Sequence, residues 1–200
     1  MSGRAGGAVS TRLGRSPTGW LPRRFLPILM YHRIGDAARD DPGGLPSLWL
    51  TEAALRRQLA WLAAEGYRSL SLDEAHAALI AGSPPAKAVV LTFDDGYDES
   101  IARAGAALAD AGLRAAVFVA AAQVGREVRV GHPTAEGWTA GRVAGRDELL
   151  GWLDAGLDVG CHSMTHADLT AATQASLVEE TRDARRRLED LLGRPVPDFC

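Results

Sequence analysis

From residue 27 onward, short runs of consecutive apolar residues alternate with stretches in which apolar residues recur every three or four positions. The first pattern suits a strand buried on both faces and the second an amphipathic helix, so their alternation predicts a parallel sheet wrapped by helices. Residues 28–31 read as the first strand. Thr51 caps a helix with Leu55, Leu59 and Leu62 on one face, Gly66 stops it, and a short strand follows at 67–70. Ser71 and Glu74 form a capping box for a helix that runs through Ile80 and ends at Gly82, with Pro84 and Pro85 beyond. The clearest strand is 88–93. A helix over 99–111 stops at Gly112, and 115–120 returns as a strand. Residues 123–145 are polar and Gly-rich and too long for a simple connection, which leaves a functional lid or a disordered insertion. A helix over 146–155, a strand over 157–161, a long helix over 174–192 stopped by Gly193, and the start of a strand at 196–200 complete the prediction.

Two hundred residues with 46% hydrophobic content suffice for one domain with a real core. A net charge of -3 gives no basic footprint, which argues against nucleic acid as a partner. Residues 1–26 differ from the rest: Arg4, Arg12, Arg15, Arg23 and Arg24 stand among Gly, Ser and Pro without any acid, the composition of a disordered basic arm. The apolar stretch at 25–31 is short and interrupted by Pro27, unlike a secretory signal, and no run is long enough to span a bilayer. As written, the chain is expected in the cytoplasm. Cys161 and Cys200, without a C-x-x-C pair, supply neither a disulfide framework nor a thiolate zinc knuckle. Nothing in the sequence indicates an oligomeric state.

Chemistry concentrates at two strand ends. In Thr92-Phe93-Asp94-Asp95-Gly96 two adjacent carboxylates have no neighbouring Lys or Arg, so they repel unless a cation or a proton-transfer task keeps them there. Strand alternation would send them to opposite faces, but a break at Gly96 lets both reach one mouth, one carboxylate binding metal and the other handling a proton. The competing reading has the pair cap the helix that follows. His162 and His166, four apart after the 157–161 strand, converge if 163–165 makes a single turn. That spacing arises by chance in about one such sequence in ten, and the stronger point is location. Active sites of parallel α/β folds assemble at the C-terminal ends of strands, where both motifs lie. Two His and one Asp form a facial triad that binds a divalent ion and leaves room for water, which points to hydrolysis.

Together, Thr92–Gly96 and His162-Ser163-Met164-Thr165-His166 resemble the first two motifs of the polysaccharide deacetylase family, also called NodB-homology domains or carbohydrate esterase family 4; Pro27-Ile28-Leu29-Met30-Tyr31-His32 is similar to its opening strand. The resemblance implies an incomplete (β/α) barrel, with 27–200 as the N-terminal part of the domain. It implies Asp94 as catalytic base and Asp95, His162 and His166 as ligands of one divalent ion, most often zinc. Water activated by the cation and deprotonated by Asp94 would then attack an acetamide carbonyl of an N-acetylated sugar polymer, with a backbone N–H near Tyr97 helping to hold the oxyanion. Such enzymes also act outside the cell or in its envelope. The family's third motif begins near residue 200 and its general-acid histidine lies further on, so this chain alone is expected to be weak or inactive. The alternatives are a remnant retaining metal or carbohydrate binding and an amidohydrolase acting on a small molecule.

Other residues are less decisive. His32 either lines the same mouth and touches substrate or is a hydrogen-bonded core histidine. Cys161 should face away from His162 and be buried. Trp49, Trp138 and Tyr97 could stack on sugar rings, Tyr97 having the best position and Trp49 packing equally well under a loop. His76 and His132 read as surface residues. Arg182, Arg185, Arg186 and Arg187, with Glu179, Glu180, Asp183, Glu189 and Asp190, read as one solvated helical face.

Overall fold

The computed structural model describes residues 25–41, 45–131 and 138–200. In chain order, β1 (Ile28–Tyr31) leads through β2 (Arg33–Ile34), α1 (Ala37–Asp40) and β3 (Trp49–Leu50) into α2 (Glu52–Ala64). Then come β4 (Arg68–Ser69), α3 (Leu72–Ile80), β5 (Ala88–Phe93), α4 (Asp98–Ala111) and β6 (Ala116–Val119). A hairpin of β7 (Glu127–Gly131) and β8 (Trp138–Arg142) precedes α5 (Arg146–Asp154) and β9 (Asp158–Cys161). The last helical segment is α6 (Gln174–Val178), a π turn (Glu179–Asp183) and α7 (Ala184–Leu192).

The main sheet is parallel throughout, in the order β1-β5-β6-β9, with β4 also pairing β5. All six residues of β5 are buried, and alternation divides them between two faces. Val89, Leu91 and Phe93 join the large core with Leu55, Leu59 and Leu62 of α2 and Ile101, Ala104 and Leu108 of α4. Ala88 and Val90 belong to a second cluster with Leu70 and Ala75. A parallel sheet buried on both sides with helices outside is the α/β arrangement that the apolar runs predict. Each of the three α2 leucines contributes roughly 1.5–3 kcal/mol through burial. The predicted caps hold: Thr51 accepts from Ala54 N–H, and Ser71 and Glu74 make the reciprocal capping box.

On β9, Val159 and Cys161 point into the large core, so Gly160 and His162 take the other face. Gly160 leaves room there for a neighbour on β6: a Cβ built on it would stand 2.3 Å from the Phe118 ring. Gly160→Ala is therefore expected to lower the unfolding free energy by about 1–3 kcal/mol, as overpacking does. Denaturant melts would register this, with partial recovery in Gly160→Ala/Phe118→Leu.

Three expectations need correction. Residues 123–145 are not a disordered insertion in their described part: Glu127–Gly131 and Trp138–Arg142 pair antiparallel, Glu127 opposite Arg142. This hairpin continues through Val143, which bridges Tyr97, and through Ala144 N–H, which donates to Gly96 O at 2.9 Å. The 174–192 helix is interrupted by its π turn. At 196–200 pairing is limited to one parallel bridge, Cys161 to Phe199. The small β2–β3 pair and α1 were not anticipated. The arm as far as residue 24, and His132, lie outside the described residues, as does the side chain of Trp138. No described helix is long and apolar enough to cross a membrane.

Candidate metal centre

Asp94 continues the face of β5 that carries Ala88 and Val90, and it is held there by its N–H, which donates to Tyr31 O at 2.8 Å. It is 3% exposed, and its Oδ1 has no hydrogen-bond partner among the described residues. Burial is the main cause that raises its pKa to about 6; the charge of Asp95 adds to the rise, while His32 and His166 oppose it. Alternation alone would turn Asp95 toward the helices. Instead Asp95 has φ 66°, followed by Gly96 at φ 67°, and this left-handed pair swings its carboxylate to the same mouth. Gly96 is required twice over: its φ is positive, and a Cβ there would lie 2.2 Å from Val119 Cγ1. Neither aspartate caps α4, whose N-cap is Tyr97 without a side-chain bond, so the capping reading is set aside.

The histidines arrive from β9. His162 N–H donates to Val119 O at 2.9 Å, and its Nδ1 lies 2.9 Å from Cys200 O. A carbonyl can only accept, so Nδ1 is the donor of this bond and Nε2 is the nitrogen turned toward the mouth. Ser163 Oγ accepts from His166 N–H at 2.9 Å, closing the turn that brings the two rings to 4.8 Å between centroids. Ser163 and His166 both have positive φ, 67° and 64°. Each such residue costs on the order of 1 kcal/mol, a strain that persists only where surrounding contacts hold it. The turn is held by Ala121 and Ala122 N–H groups, which donate to Ser163 O and Met164 O at 3.0 and 2.8 Å, and by Glu180, which accepts from Met164 and Thr165.

Asp95 Oδ1 thus stands 3.5 Å from His166 Nε2 and 3.7 Å from His162 Nε2. These separations exceed the roughly 2.7–3.2 Å of an N–H···O bond. They approach the roughly 3.0–3.5 Å expected between two ligand atoms that each lie about 2.0–2.2 Å from one ion. One donor atom from each of the three residues lies within 4.8 Å of the others, a carboxylate and two imidazoles that suit zinc and related divalent cations. The donor set fits a cation, and the Asp94 carboxylate, its Oδ1 without a partner among the described residues, lies close enough for its charge to interact with Asp95 and His166.

His32 contributes to the field at Asp94 and is half-buried at the end of β1. Tyr97 is placed differently from the stacking expectation. Its ring is 2% exposed, with the Arg33 guanidinium 3.8 Å from its centroid and Gly141 of the hairpin against its edge, so it offers no face to a sugar. Trp49 packs on the same guanidinium at 4.3 Å. Cys161 is buried as expected, and burial pushes its thiol up to about 11. Native Cys161 should therefore resist iodoacetamide at pH 8 and react after denaturation, as peptide mass mapping would show. Sequence reasoning missed Glu180, which it placed on a solvated face. Burial disfavours that carboxylate's charge, but bonds from the Thr165 side chain and from the Thr165 and Met164 backbone outweigh this and hold its pKa below the usual value.

A sequence profile of the polysaccharide deacetylase family matches residues 81–200. The chain is 26% identical over 167 residues to YxkH of Bacillus subtilis (strain 168), which covers 83% of this chain and 52% of that protein. It is 37% identical over 83 residues, 41% of this chain and 12% of the other, to the poly-beta-1,6-N-acetyl-D-glucosamine N-deacetylase of Escherichia coli (strain K12). The crystal structure of BC0361, a polysaccharide deacetylase from Bacillus cereus, superposes with a TM-score of 0.68 at 26% identity, covering 87% of this chain and 49% of that one. The chain therefore spans about half the length of YxkH and of BC0361.

Proposed function

The chain belongs to the polysaccharide deacetylase family, and from that premise we propose that it takes part in hydrolytic removal of N-acetyl groups from an N-acetylated sugar polymer, assisted by one divalent cation. The observation that carries this reading is the convergence of Asp95, His162 and His166 beside the buried Asp94. We assign the first three to holding the cation, most simply zinc, whose preference for nitrogen and oxygen donors matches them. Bound there, such an ion polarises an acetamide carbonyl and makes water a better nucleophile near neutral pH.

Asp94 is the residue assigned to take the proton from the attacking water. It is buried, follows directly on β5, and has an oxygen without a hydrogen-bond partner among the described residues, available to accept. Attack forms a bond from the water oxygen to the acetamide carbon; the C–N bond then breaks, acetate leaves, and the sugar nitrogen departs as the amine with the proton that Asp94 first accepted. The turn at 95–97 is assigned the backbone N–H that steadies the oxyanion, and His32 a place at the substrate side of Asp94.

Metal analysis and acetate release from N-acetylglucosamine oligomers test this reading together. About one divalent ion per chain and cation-dependent acetate release are expected. A folded, soluble sample that takes up no divalent ion would overturn it.

A further inference from the structure

Glu180 is a buried charge to which the chemistry above gives no task. It is 7% exposed and lies in the π turn Glu179–Asp183, the interruption in the long helical segment. Such turns realign the side chains around them and occur often at functional sites. Its Oε2 accepts from the backbone N–H groups of both Met164 and Thr165 at 2.9 Å, and its Oε1 accepts from the Thr165 hydroxyl at 2.6 Å. All three donors belong to the middle of the 162–166 turn. That turn carries two L-residues in left-handed conformation, Ser163 and His166, so it would relax without support.

We infer that Glu180 is a positioning residue for the cation site, holding the 163–166 turn so that the imidazoles of His162 and His166 face Asp95; this rests on reading that cluster as a metal centre. The donor pattern explains why a carboxylate stands there. Three donors converge on one side chain, and only a group with two acceptor oxygens accepts from all of them. A Gln keeps the shape and one acceptor oxygen, and its amide nitrogen must donate to the Thr165 hydroxyl instead. Ala keeps nothing. Outer partners that orient metal ligands typically change metal affinity about 10–100-fold when removed.

Cobalt(II) titration of the full chain, followed by its visible absorption, tests the inference in wild type, Glu180→Gln, Glu180→Ala and Leu192→Ala. Leu192 is a core residue of the same helical segment, remote from the turn in sequence, and serves as a control for stability alone. The expected result is a Kd raised about 10–100-fold in Glu180→Ala and by a smaller factor in Glu180→Gln. Leu192→Ala should melt at lower temperature with an unchanged Kd. Wild-type Kd in both Glu180 variants would overturn the inference while leaving the metal centre standing. So would an equal loss of affinity in Leu192→Ala at matched loss of melting temperature. If Glu180→Ala does not fold, Glu180→Gln decides: a raised Kd supports the inference and a wild-type Kd overturns it. No cobalt binding by wild type would overturn the metal-centre reading itself, and the inference with it.

Discussion

Asp94→Asn is expected to retain the cation and slow acetate release by about 10²–10⁴-fold, the range that a positioned proton acceptor contributes. In activation free energy this is about 3–5 kcal/mol. Asn has nearly the same shape and still offers a carbonyl oxygen, but it cannot take a proton at neutral pH. The surroundings make the substitution clean. Asp94 is 3% exposed, and among the described residues its Oδ2 meets only the Cys200 thiol, at 3.9 Å, so no strong hydrogen bond to them is lost. Burial and the neighbouring Asp95 both oppose its charge. Neutralising it should leave folding stability unchanged or slightly higher, a combination that separates a lost base from a damaged fold. Acetate assays, metal content and thermal melts on one preparation would check all three. An Asn variant as fast as wild type would remove Asp94 from the chemistry.

How much of this was legible depended on whether a residue's task left a local pattern. The parallel sheet did: β5 is buried on both faces and so is apolar at every position but Thr92, and the helices show their periodicity because each buries only one stripe. The hairpin of β7 and β8 did so only weakly: Glu127-Val128-Arg129-Val130 alternates polar and apolar residues as a strand does, but over too few positions to stand out from the Gly-rich stretch around it. Gly96 announced that the strand ends between the carboxylates and the next helix. That Asp95 would itself adopt positive φ, and so reach the side of Asp94, has no local signal, since only glycine adopts that conformation freely. Tyr97 shows the opposite failure. Its position beside the motif suggested a sugar platform, whereas Arg33 of β2, distant in sequence, and Gly141 of the hairpin cover its ring.

Glu180 was legible in principle. It stands four residues before Ala184, which precedes Leu188 and Leu192 at the same interval, and all four are buried. It therefore continues the apolar stripe of the helix, and a charge in such a stripe is costly unless hydrogen bonds satisfy it. Reading it with its charged neighbours hid that register. The π turn, which the sequence does not signal, completes the placement.

Asp95→Asn and His166→Ala are each expected to reduce bound divalent ion from about one per chain to near zero when metal is supplied at micromolar concentration. With three protein donors, losing one leaves two, and the loss should exceed the roughly 10–100-fold typical of outer partners. Asp95→Asn is the sharper test. Asn tolerates the left-handed conformation that Asp95 adopts at φ 66°, so the turn at Gly96 should survive while the only anionic ligand disappears. Removing that charge also lessens repulsion with Asp94, so the metal-free variant should melt no lower than metal-free wild type. The difference emerges on adding metal. An ion at 100 times its Kd stabilises the native state by about 2.7 kcal/mol, which raises the melting temperature of wild type and should leave Asp95→Asn where it was. A variant that still gains stability and still carries one ion per chain would show that the cation is bound by a different set of residues.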